Sequence, residues 1–185
     1  MTKRPGADAK PLEGEDALAY KEAMSTIKDA TQKVIDGDGD LSELAALPAI
    51  SSQTILNALF VPEDAGEYAA GLEAILRRIP DGWGRWIGCG RGWYPIIVKL
   101  DERLAAIDPD YEVMQVKEKF GTLRYYCTGD GEEAVFNLIM EAEQQSAVTC
   151  ELCGTPGQIH ERGYWLRTLC SDCAAAQGYT VPQEE

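Results

Sequence analysis

The chain has 185 residues, 45% of them hydrophobic, enough for one ordinary domain with a small appendage and a true core. Its 31 acidic residues against 17 basic give a net charge of −14, which argues against attraction of the chain as a whole to nucleic acid or to an anionic membrane. The longest apolar stretches are broken by charge well short of the ~20 residues that a bilayer requires, and MTKRPGADAK lacks the apolar core of a secretory signal. The expectation is therefore an intracellular, cytoplasmic protein with no membrane partner.

Residues 1–14 are polar and rich in Pro, Gly and charge, which predicts a flexible arm. Residues 15–80 read as an all-helical segment. Leu18, Ala19, Met24, Ile27, Ala30 and Val34 recur at helical spacing, a short run from Ser42 stops at Pro48, another covers about Ser52 to Phe60, and Pro62-Glu63-Asp64 opens a fourth through Ile79. Residues 81–147 form a central unit. It begins with DGWGRWIGCGRGWYP, five glycines and three tryptophans in a loop with something to hold. A helix from Tyr94 to about Ile107 follows, with Pro95 tolerated in its first turn. YEVMQVKEKFGTLRYYC alternates and reads as a β-hairpin turning at Gly121, and helical spacing returns from Glu132 to Ser146. Residues 148–176 form a metal-binding segment and 177–185 a tail.

The strongest motif is CELCGTPGQIHERGYWLRTLCSDC. Cys150 and Cys153, then sixteen residues, then Cys170 and Cys173 give two C-x2-C knuckles at the spacing of a zinc ribbon. Four thiolates complete a tetrahedral shell, so one structural Zn2+ with no open position for activated water is expected. Six cysteines could form disulfides in a secreted protein, but the paired spacing favours reduced, metal-bound thiolates; Cys89 and Cys127 remain as spare thiols. His160, the single histidine, lies between the knuckles, where a surface or supporting role suffices, and its isolation leaves no His-rich catalytic metal site. No catalytic constellation stands out, and the chain reads as more suited to binding than to catalysis.

Three weaker motifs carry alternatives. D-G-D-G-D-L-S from Asp36 resembles part of a calcium loop, but alignment on Gly39 puts Val34 and Ala45 at ligand positions, so an acidic inter-helix loop is the plainer reading. ELAALPAISSQTILNAL, from Glu43 to Leu59, resembles a helix-turn-helix, although its second helix has no Arg or Lys to contact phosphate. The loop from Gly88 to Trp93 can present backbone N–H groups to an anion without matching a phosphate-loop pattern. Arg85, Arg91 and Trp93 in that loop, with Lys117, Lys119 and Arg124 on the hairpin, would form one basic, aromatic-edged ligand surface if loop and hairpin pack together. The alternative is that Trp83, Trp86 and Trp93 all pack in the core.

Taken in order, GWYPIIVKLDERL, YEVMQVKEKFGTLRYY and the four-cysteine ribbon resemble a family of small proteins met in bacteria and their phages, over roughly Trp93 to Ala174. The resemblance implies a shared architecture and a zinc ribbon, with no activity or substrate attached. The expected fold is α+β: an N-terminal helical segment, a central helix-β-hairpin-helix unit and a docked zinc ribbon, the three sharing one core. For function, binding of a host protein comes first, as inhibitor or adaptor. Nucleic-acid binding or transcriptional regulation comes second, and nucleotide binding at the Gly/Trp loop third.

Overall fold

The computed structural model describes residues 6–35 and 51–182. The acidic loop from Asp36 and the first helix of the helix-turn-helix-like stretch lie outside them. Mixed helix and sheet make up the described chain. Helix α1 spans Gly14–Ile35 and α2 Ser52–Asn57; strand β1 is Leu59–Phe60, and α3, Ala69–Leu76, leads to β2, Arg85–Gly88. The central unit continues with α4, Tyr94–Ile107, β3, Val113–Lys119, β4, Thr122–Cys127, and α5, Glu133–Ser146. Strands β5, Gln158–Arg162, and β6, Trp165–Leu169, are followed by α6, Ser171–Gln177.

The first four strands form one sheet in the order β1-β2-β3-β4, with β1 and β2 parallel, β2 and β3 parallel, and β3 and β4 antiparallel. This departs from the expectation in two places. The segment before residue 80 is not all-helical, because α2 stops at Asn57 and Ala58 turns extended to start β1. The Gly/Trp stretch is not simply a loop, because Arg85–Gly88 pairs with strands on both sides. Both strands are too short for alternation to announce them.

Pairing within the sheet sorts side chains by face. Leu59, Arg85, Ile87, Val116, Leu123 and Tyr125 point inward, where α3 and α4 bury Leu72, Ile75, Leu76, Ile96, Ile97, Leu100 and Leu104 against them. Each such aliphatic side chain contributes about 1.5–3 kcal/mol on burial. The outer face carries Phe60, Trp86, Gly88, Gln115, Lys117, Arg124 and Tyr126 in paired positions. At the β1 end α1 covers this face, with Tyr20 and Phe60 ring centroids 4.7 Å apart.

Both sheet edges are managed. Leu59 N–H donates to Lys10 O at 2.9 Å along β1, and Leu123 N–H donates to Ser146 Oγ at 2.9 Å where α5 closes the β4 side. The expected flexible arm is therefore tied to the body from Gly6 onward, since Arg77 Nη1 also donates to Ala7 O and Ala9 O. The expected tail behaves likewise: Tyr179 is buried and Thr180 pairs with Glu161, which extends the ribbon beyond residue 176. Nor do the modules share one core. Cys150, Leu169, Ala174 and Tyr179 form a second cluster apart from the main one.

Candidate metal centre

The two knuckles converge as their spacing requires. Tight turns build each one: Cys150 N–H donates to Thr155 O at 2.7 Å and Gly154 N–H to Cys150 O at 2.9 Å, with Gly154 at φ +78°. The second knuckle starts α6, where Cys170 Sγ accepts from Cys173 N–H at 3.5 Å. The Sγ atoms of Cys150, Cys153, Cys170 and Cys173 all lie within 4.8 Å of one another, and those of Cys153 and Cys170 are 3.6 Å apart. Tetrahedral thiolates around one ion with 2.3 Å bonds stand about 3.8 Å apart, so the cluster can hold one metal ion.

Local hydrogen bonds favour the charged form of two of the four thiols. The Cys173 N–H, with help from Thr155, brings the Cys170 thiol down to about 6, and the Thr155 hydroxyl lowers Cys153. Cys173 moves up, because its hydrogen bond with the neighbouring Cys170 sulfur favours the protonated thiol. Cys127, by contrast, is pushed up to about 11 by burial and Asp130, and burial also raises Cys89. These two behave as buried thiols. His160 is buried, not at the surface, with Nδ1 2.9 Å from Gln158 O.

The Gly/Trp stretch holds the four-cysteine segment itself. Gly90 N–H donates to Glu151 Oε1 at 2.9 Å and Gly92 N–H to the Glu151 backbone O at 2.8 Å; the anion at the Gly90 amide is thus the protein's own carboxylate, from inside the first knuckle. Arg167 on β6 completes it, with Nε and Nη2 each 2.8 Å from Glu151 Oε2. Side chains are excluded here: a Cβ on Gly92 would come within 2.2 Å of Cys150 O and 2.5 Å of Gly154 N. Trp93 is wholly buried and donates from Nε1 to Thr149 O at 2.8 Å. A second seat lies at the hairpin turn, where Thr168 Oγ1 donates to Gly121 O at 2.6 Å. Sequence reasoning missed Glu151 and Arg167, although an acid and a base flanking glycine-rich and cysteine-paired segments were visible signals.

The expected six-residue ligand surface is split by this arrangement. Arg85 is buried on the inner face, donating to Ile79 O at 3.0 Å and Asn57 O at 2.7 Å and pairing with Asp81 at 2.6 Å; Trp93 is also interior. Arg91 is exposed but lies across the molecule's metal side, lining a cleft of ≈ 200 Å³ with Asp64, Tyr94, Cys153 and Gly154. Lys117, Lys119 and Arg124 do share the outer sheet face, and loop and hairpin do meet, through β2 and β3. Of the tryptophans only Trp93 is core; Trp83 and Trp86 are exposed.

The second helix of the helix-turn-helix-like stretch is present but short. Helix α2 has six residues, about 9 Å, and Asn57 Oδ1 already accepts from Gln53 Nε2 and Gly82 N–H. Among the described residues no helix is long and apolar enough to cross a membrane. No known protein family, curated protein or solved structure matches the chain.

Proposed function

We propose that this chain is a non-enzymatic binding protein of the host-cell cytoplasm, encoded by a phage or prophage, whose four cysteines hold one structural zinc ion and whose ribbon engages a host protein as inhibitor or adaptor. Soft thiolates from four cysteines select zinc over the hard cations, and a shell filled by protein leaves the ion nothing to activate. The observation that carries the binding role is the tip of the β5–β6 hairpin. Tyr164 is 103% exposed and Trp165 70% exposed, side by side at a turn whose Gly163 takes φ +61°. Tyr and Trp dominate the energetics of protein interfaces, and a metal-clamped hairpin presents them with little entropy left to lose.

Elemental analysis should find about one zinc per chain. For the partner, tagged protein is used to capture from host lysate at low salt, with nuclease, followed by mass spectrometry. A stoichiometric protein captured by the native chain and lost with Tyr164→Ser/Trp165→Ser, at unchanged Tm, is the expected result. Equal capture by both would remove the ribbon tip from the binding reaction.

A further inference from the structure

We propose that the outer face of the four-stranded sheet, at its β3–β4 end, is a binding platform for single-stranded nucleic acid, a surface separate from the ribbon tip. The paired positions put rings and cations in successive rows. Phe60 pairs with Trp86 and Gln115 with Tyr126; Gly88 pairs with Lys117 and Lys117 with Arg124; Lys119 pairs with Thr122 at the tip. No carboxylate occupies any of these positions, on a chain whose net charge is −14. At the β4 edge of this face Glu143 of α5 lies 2.6 Å from Arg124, which leaves Lys117 and Lys119 as the positive charge there. At the far end Lys21 of α1 and Glu63 line the groove over Phe60 and Trp86 together, so the positive charge is concentrated at the β3–β4 end.

Rings and cations are matched in pairs. Lys117 Nζ lies 5.7 Å from the Tyr126 ring centroid and Lys119 Nζ 5.3 Å from that of Phe120. Phe120 is the most telling residue. It takes φ +55° beside Gly121 at φ +81°, in a two-residue turn where Asn-Gly is the favoured pair, and the residue is 67% exposed. A bulky residue in a left-handed position gains nothing for the turn, so the ring's use lies outside it. Trp86 is held ready too: its indole lies over Gly84, where a Cβ would come within 2.2 Å of the ring. Alternating aromatic faces and cations on an open sheet suit a single strand, whose bases stack while its phosphates meet lysines. An acidic peptide would use the lysines and leave Phe120, Tyr126 and Trp86 without a counterpart.

The test is fluorescence anisotropy of a labelled oligothymidine with the full, metal-loaded chain. A dissociation constant of about 1–100 µM at low salt is expected, with a log–log salt slope of about −1.4, two phosphates at ~0.7 each for Lys117 and Lys119. Lys117→Glu/Lys119→Glu should weaken binding at least tenfold. Phe120→Asn improves the turn, so its Tm should hold or rise while affinity falls about tenfold, the size of one lost stacking contact. Four results would overturn the proposal: no binding at low salt, native affinity in either variant, equal displacement of the oligomer by polyglutamate, or equal affinity for a duplex of the same length. Loss of protein capture by the ribbon-tip variant with oligonucleotide binding intact would separate the two surfaces.

Discussion

The central unit and the ribbon solve the same problem with different means. Twenty buried hydrophobic residues, among those described, form the main core around α3, α4 and the sheet, whereas the ribbon's own cluster has four, one of which is the candidate metal ligand Cys150. Burial at roughly 25 cal/mol per Å² can stabilise the first region unaided but not the second. The ribbon therefore needs support beyond its own packing: its seat against Gly90, Gly92, Trp93 and Gly121, and the metal ion that its four cysteines could hold. The lesson is that the glycine-rich stretch and the cysteine pairs, separate in sequence, form one device: backbone stripped of side chains so that a metal knuckle can dock on it.

Metal removal should expose this difference most strongly. Structural zinc contributes on the order of 10 kcal/mol to small domains, far more than four buried residues supply. Chelation, Cys150→Ser or Cys173→Ser should abolish hydrogen-exchange protection across β5, β6 and α6 while α4, β3 and β4 stay protected. A fully protected metal-free protein would show that the ribbon stands on its own packing. Next in size is Trp93, which belongs to both regions, as core residue and as donor to Thr149 O. Trp93→Ala should cost about 3–5 kcal/mol in denaturant titration through the cavity alone. Trp93→Phe keeps most of the bulk, so it should cost about 1–2 kcal/mol, and protection should fall at the ribbon before the sheet.

Glu151 tests the seat without touching a ligand or the main core. Its carboxylate is 3% exposed and joins Gly90 N–H to Arg167, whose own side chain is 24% exposed. Glu151→Ala removes the carboxylate from Arg167, which keeps only Gln177 Oε1 as acceptor, and leaves the Gly90 amide unpaired; this should cost about 3 kcal/mol, the low end for a broken buried pair because water reaches Arg167. Zinc stoichiometry should be unchanged. Metal lost together with stability would mean that the seat shapes the metal site rather than merely receiving it.

Legibility followed the same division. The four cysteines, α4, the β3–β4 hairpin and α5 could be read because each is long or regularly spaced: knuckles at ribbon spacing, helical periodicity from Tyr94 to Ile107, alternation from Val113. Strands β1 and β2 could not, since two and four residues carry no period, and their partners lie in distant segments. Helix α6 was hidden behind its own cysteines, which read as ligands first. Arg85 misled because an arginine among glycines suggests an exposed anion site; its burial depends on carbonyls of Asn57 and Ile79 that only the fold brings near. Composition showed that Gly88 to Trp93 had a partner, and only tertiary structure could show that the partner was Glu151.

The smallest effect concerns Glu118, on the inner face of the hairpin. Burial raises its carboxyl above the ordinary glutamate range, and the Gly121 N–H, 2.6 Å from Oε1, pulls the other way. A carboxyl that holds its proton more tightly in the folded than in the unfolded state makes the fold bind more protons across that window. Stability contributed by this group then falls as pH rises from the ordinary value through the raised one, and the cost is fully present above it. Glu118→Gln can still accept from Gly121 and carries no charge to desolvate. It should therefore raise stability at neutral pH, by under about 1 kcal/mol because solvent screens a half-buried group, and the gain should vanish below the ordinary glutamate range. A gain that persists unchanged in acid would assign the effect to packing at the turn, and a loss at neutral pH would mean that the charge of Glu118 is used, most directly by Arg167 across the seat.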